Sequence, residues 1–124
     1  MTRHNDNYSW VYIGFAVLIG GAILYWLFLS PSSGYVKIKY RDDKVNISTN
    51  NFEPLNKSDS TVKGAWYDSG NKYMVIKLGG TYYHYCGMPS EAWGNLKAAS
   101  SSYDFYQDNI KGNFDCRVNP VPQY

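Results

Sequence analysis

The chain has 124 residues, a formal net charge of +2, two cysteines and 13 tyrosines. That length holds one modest domain beside an apolar N-terminal run, and no second core. Two cysteines exclude a multi-disulfide scaffold, and their spacing matches no paired C-x-x-C zinc pattern.

Residues 1–9 read as a polar N-terminal tail. From Trp10 to Leu29 there are 20 residues without a charge. At about 1.5 Å rise per residue they reach the roughly 30 Å of a hydrocarbon core. Tyr8, Trp10 and Tyr12 at one end, and Tyr25 and Trp26 at the other, suit the two headgroup regions. The pattern predicts a single transmembrane helix over 10–29, in contact with the lipid bilayer. A cleaved signal peptide is the alternative, but its apolar core runs to about 7–15 residues before a small-residue cleavage site. Leu27-Phe28-Leu29-Ser30-Pro31 is a poor site of that kind. Gly14, Ala16, Gly20, Gly21 and Ala22 offer a small surface for a neighbouring helix, although glycine is frequent in such helices anyway. Lys37, Lys39, Arg41 and Lys44 follow the run and only Arg3 precedes it. By the positive-inside rule the C-terminal part faces the cytoplasm. The basic stretch reads as a topology signal ahead of a lipid-binding patch.

Pro31 and Gly34 end the helix, and Tyr35 to Tyr40 alternates apolar with basic, as a short strand or an extended tether does. Asn46 to Ser60 has the turn chemistry of a loop, so 30–57 reads as a juxtamembrane tether. The folded domain then spans 58–118, and 119–124 is a tail.

Within the domain, Thr61–Tyr67, Tyr73–Leu78 and Thr81–Cys86 are rich in Val, Ile, Tyr, Trp and Thr. They predict a three-stranded antiparallel meander. The Gly79-Gly80 link supplies the positive φ of a primed hairpin turn and makes Leu78 the neighbour of Thr81. Ile76 then faces Tyr83 and Met74 faces Tyr85, on the better core face. Val75, Lys77, Tyr82, His84 and Cys86 take the other face. Met88-Pro89-Ser90-Glu91 opens a helix whose Ala92, Trp93, Leu96 and Ala99 cover the sheet. Tyr103 to Ile110 forms a second short segment carrying Phe105, Tyr106 and Ile110 inward. The fold class is α+β.

Ser60 to Arg117 resembles the KTSC domain, a module named for its occurrence at the C-terminus of some lysyl-tRNA synthetases and found alone in bacterial and phage proteins. The resemblance rests on Ser60-Thr61-Val62, Trp66-Tyr67-Asp68, Tyr83-His84-Tyr85 at the family's Y-x-Y motif, and Met88-Pro89. It continues through Leu96, Ala98-Ala99, Ser101, Phe105-Tyr106 and Ile110-Lys111. Tyr103 departs from the family pattern, which usually has Gly there. The resemblance implies no catalytic activity, and its synthetase association implies a possible role on RNA.

Three classes of function follow. As an interaction module, the domain meets a protein partner at the membrane through a surface of Trp66, Tyr73, Lys77, Tyr82 and His84, with Tyr124 as a further exposed aromatic. As an RNA binder it stacks bases on Tyr82, Tyr83, Tyr85 and Trp66, with Lys63, Lys72 and Lys77 on phosphates. From residue 57 on, however, seven basic residues meet six acidic ones, without the surplus that phosphate binding requires. As an enzyme it has only His84 and Cys86, two apart on one strand face, with no orienting carboxylate. The binding module with a protein partner is the preferred reading. An accessory or phage envelope protein acting on a host membrane machine is a variant of it. No cofactor or metal is implied, and Cys86 and Cys116 read as free thiols ahead of a bridge.

Overall fold

The hairpin sets the geometry of everything around it. Gly79 carries a φ of 57°, a conformation that a mirror-image two-residue turn needs and most side chains resist. Leu78 therefore lies opposite Thr81, Ile76 opposite Tyr83 and Met74 opposite Tyr85, the register expected from the glycine pair. The protein is described by a computed structural model over residues 34–124. The transmembrane reading of 10–29 and the tail 1–9 lie outside the described residues. Among the described residues, no helix is long and apolar enough to cross a membrane.

The elements in chain order are β1 (Tyr35–Val36), β2 (Val45–Asn46), β3 (Glu53–Pro54), β4 (Val62–Asp68), β5 (Tyr73–Leu78), β6 (Thr81–Cys86), α1 (Ser90–Ala98), α2 (Ser102–Phe105) and a π-turn (Tyr106–Ile110). The sheet has four antiparallel strands in the order β3-β4-β5-β6, not three. The extra strand is two residues long and contains Pro54, which an edge position tolerates because it need not donate to the ladder. β1 and β2 form a separate two-stranded ribbon.

One face of the sheet carries Val62, Ala65, Tyr67, Met74 and Ile76 against Trp93 and Leu96 of α1, with Met88, Tyr106 and Ile110 closing the layer. Pro89 stands one residue before α1, where its missing N–H costs nothing. Ser101 caps α2 by accepting from the Asp104 N–H at 3.2 Å. Asp59 ties that helix to the sheet, accepting from the N–H groups of Thr61, Val62 and Tyr103. Together these bonds give Ser101 and the Tyr103 position local structural jobs.

The other face is a second core. Tyr73, Val75 and Cys86 pack beneath Ile38, Val45, Ile47 and Phe52, all buried. The stretch expected as a tether is therefore folded onto the sheet from residue 34 on. A strand with apolar residues on both faces cannot leave one side in water, and these four isolated apolar residues supply the cover. The C-terminal tail is also tied down: Arg41 Nη2 donates to the Pro122 carbonyl at 2.8 Å, and the Tyr124 hydroxyl donates to Asp68 at 2.6 Å.

Two further expectations are corrected. Tyr73, expected on the exposed binding surface, is fully buried because it faces this second layer. Cys86 and Cys116, expected as free thiols, form a disulfide with Cα atoms 4.8 Å apart. The Cys86 N–H donates to the Phe114 carbonyl at 2.8 Å, which lays the returning chain alongside β6 and brings Cys116 into reach.

Candidate functional site

β6 is the last strand of the sheet, so one side of it has no strand partner. In an antiparallel pair, successive residues point their backbone polar groups alternately toward the partner and away. The outward residues declare themselves: the Tyr82 carbonyl accepts from the Lys39 N–H at 2.8 Å, and the Cys86 N–H donates to Phe114. His84 lies between them with the same parity. Its own N–H and carbonyl have no hydrogen-bond partner among the described residues. The chain around Lys39 covers one end of this edge and the chain around Phe114 the other.

The gap between these covers is a cleft of about 510 Å³. Tyr83, His84 and Tyr85 form its floor, Lys39 and Tyr40 one wall, and Asp115 and Arg117 the other. Lys39 Nζ lies 5.2 Å from the Tyr40 ring and 5.7 Å from the Tyr83 ring. Tyr40 is 83% exposed and sits at φ 69°, a conformation unusual for a bulky residue. Arg117 grips Asp115 through Nε at 2.9 Å and Nη2 at 2.6 Å. The guanidinium and the Arg117 N–H hold that carboxyl well below its usual range, down to about 2.

His84 is fixed from beneath. Its Nδ1 lies 2.8 Å from the Tyr73 hydroxyl, which also receives a bond from Arg41 Nη1 at 3.1 Å. Arginine can only donate, so the Tyr73 oxygen accepts from Arg41, while the direction of the bond between Tyr73 and His84 follows the imidazole tautomer. Burial, with the Arg41 charge adding to it, pushes the imidazole below its ordinary pKa against the opposing pull of Asp115.

His84, Cys86 and Cys116 bring their ligand atoms within 4.8 Å of one another. The two sulfurs are joined to each other, so neither offers the thiolate that nucleophilic attack or metal ligation needs. The reading of His84 and Cys86 as an imidazole and thiol pair does not apply to this form of the protein.

Of the expected surface, Trp66, Lys77 and Tyr82 do come together: the two rings are 5.9 Å apart and Lys77 Nζ lies 5.3 Å from the Tyr82 ring. His84 turns to the cleft instead. Most motif residues hold the fold. Tyr67 donates to the Met88 carbonyl at 2.6 Å and stacks on Trp93. Asp68 caps the β4–β5 turn, and the Tyr85 and Tyr106 hydroxyls meet at 2.5 Å. Phe105 is half-buried against the first core, Ile110 is fully buried, and Lys111 is exposed with its N–H on the Tyr106 carbonyl. The cleft residues that sequence reasoning missed, Lys39, Tyr40, Asp115 and Arg117, lie outside the motif. A separate, smaller cleft of about 410 Å³ includes Glu53, Trp93 and Lys97, where Glu53 accepts from Trp93 Nε1 and pairs with Lys97 at 3.2 Å.

The family model of the KTSC domain matches residues 49–114. The chain belongs to the KTSC domain family. The crystal structure of a KTSC domain protein from Yersinia pestis is similar at 29% identity, covering 52% of this chain and 92% of that one, with a TM-score of 0.48. No curated protein matches the chain. In this KTSC domain, Tyr83 and Tyr85 of the Y-x-Y motif belong to the strand that floors the cleft, and both also pack against the first core.

Proposed function

We propose that this KTSC domain is a non-catalytic binding module that receives a protein partner in the β6 cleft, and that the apolar run 10–29 holds it at a lipid bilayer. The observation that carries the reading is the cleft itself, where Tyr40, Tyr83 and Tyr85 are among the lining residues beside strand backbone left open to a partner. Such rings supply large contact area with a polar handle, as protein interfaces do. A fixed membrane anchor would raise the effective concentration of the domain for any neighbour. The near balance of charge from residue 57 on weighs against RNA.

The disulfide supports a domain on the oxidising side of the membrane. Two of the four basic residues counted for the opposite orientation have work inside the fold. Arg41 is buried among Asp43, Tyr73 and Pro122, and Lys37 donates to the Arg41 carbonyl. Their role in the domain explains them without a topology signal, and the reading offered is a domain on the oxidising face, the reverse of the orientation that the positive-inside count suggests.

The test is photo-crosslinking in cells with a benzophenone amino acid placed at Tyr40, in the cleft wall, or at exposed Ser100, which is not part of the cleft. Protease-sensitive adducts from position 40 and none from position 100 are expected. Ribonuclease-sensitive adducts, or equal adducts from both positions, would overturn the proposal.

A further inference from the structure

We infer that the segment received in the cleft is an extended strand that adds to the edge of β6, pairing with the backbone of His84 and turning an acidic side chain toward Lys39 and Arg117. This rests on reading the domain as a protein-binding module, and it specifies the chemistry of the ligand.

The first support is the accounting of backbone bonds along β6. Lys39 takes the outward carbonyl of Tyr82 and Phe114 takes the outward N–H of Cys86, while the N–H and carbonyl of His84 between them have no partner among the described residues. Backbone groups in partly buried positions are normally satisfied, and an open pair on an edge strand is a template for another strand. A residue laid opposite His84 completes both bonds, in the manner of β-strand addition.

The second support is the shape of the opening. The edge is covered at Tyr82 and at Cys86, so the opening at His84 admits only a short extended stretch. A second copy of this protein carries the same covers on its own β6 and cannot bring that edge into the gap. The occupant in this inference is a free segment of another protein, the symmetric pairing of two β6 edges being excluded.

Charge supplies the third. Lys39 is exposed and Arg117 has its side chain 88% exposed, while Asp115, paired with Arg117, is the one acidic residue of the cleft. The walls keep a surplus positive charge, which favours an acidic side chain over a basic one. Side chains alternate along a strand, so the neighbours of the residue opposite His84 fall on the Tyr83 and Tyr85 face, where an acidic one meets Lys39, whose Nζ lies 5.7 Å from the Tyr83 ring.

The experiment selects ligands for the full chain in mild detergent from a phage-displayed library of random decapeptides, then synthesises the best binder. It compares wild type with His84→Ala and His84→Pro. Both variants lose the imidazole, but only proline also removes the outward N–H. That N–H serves no bond to β5, so the sheet survives the change; matched melting curves of the two variants check this.

The inference expects selected sequences enriched in Asp or Glu and free of proline at the paired position. The peptide should slow exchange of the His84 amide about tenfold or more, and His84→Pro should bind about tenfold more weakly than His84→Ala, the worth of a backbone hydrogen bond or two. A peptide that binds without protecting the His84 amide, or equally to both variants, overturns strand addition while leaving the binding-module reading standing. Failure to select any peptide, together with crosslinks only to RNA, overturns both.

Discussion

The Tyr73 hydroxyl bridges His84 Nδ1 at 2.8 Å and Arg41 Nη1 at 3.1 Å, so a residue of the second core holds the imidazole of a residue in the cleft. Because burial and the Arg41 charge depress the His84 pKa below 6.5, the unfolded chain takes up a proton that the fold resists. The stability present above pH 6.5 should therefore decline as pH falls through the window beneath it, and level off below the folded-state value. Denaturant unfolding across that range, with an NMR titration of His84, checks both the sign and the window. Tyr73→Phe should cost about 1–3 kcal/mol, since it leaves buried Arg41 and half-buried His84 each short of a bond.

Asp68 should control the C-terminal tail. Burial would raise its pKa, but bonds from the Tyr124 hydroxyl, the Asn71 side chain and the N–H groups of Asn71 and Gly70 outweigh it and hold the carboxyl low. A depressed carboxyl adds stability above its unfolded value of 3.8 that is lost as pH falls through the folded one. Asp68→Asn should cost about 1–3 kcal/mol and raise hydrogen exchange in residues 120–124.

Reducing the Cys86–Cys116 bridge, which links residues 30 apart, should cost about 3–4 kcal/mol by the chain-entropy account. The loss appears as a lower denaturant midpoint in dithiothreitol. Cys86→Ser/Cys116→Ser should show the same lower midpoint and no further response to reductant.

Tyr85 and Tyr106 share one hydroxyl contact at 2.5 Å, with Tyr106 only 4% exposed. Tyr85→Phe and Tyr106→Phe should each cost about 1–3 kcal/mol by leaving the other hydroxyl short of a partner. The double variant should cost less than the sum, a coupling that a double-mutant cycle measures directly.

Much of the first layer was legible because its signals are local. The glycine pair dictated the β5–β6 register, and the spacing of Trp93 and Leu96 marked the covering helix face. The second layer was not, because Val45, Ile47 and Phe52 are isolated apolar residues in a polar, turn-rich stretch, and the apolar–basic alternation that carries Ile38 suits an extended tether as well as a strand. What makes them core is the sheet face they cover, a long-range relation. The same limit hid the cleft. His84 was singled out for its imidazole, yet the open feature there is its backbone, and Lys39 and Arg117 reach it from opposite ends of the domain. Arg41 showed a charge that suited a topology signal, and its burial against Tyr73 is a fact of tertiary packing.

The central claim is that the β6 cleft is occupied by another protein in the cell, and hydroxyl-radical footprinting of two tyrosines tests it most directly. Tyr40 forms a cleft wall and is 83% exposed, while Tyr35 is 57% exposed and lies outside the cleft. In the purified chain both should oxidise readily. In intact cells the account predicts protection of Tyr40 relative to Tyr35, unchanged by ribonuclease, whereas the same Tyr40 to Tyr35 ratio in cells and in purified protein would contradict it.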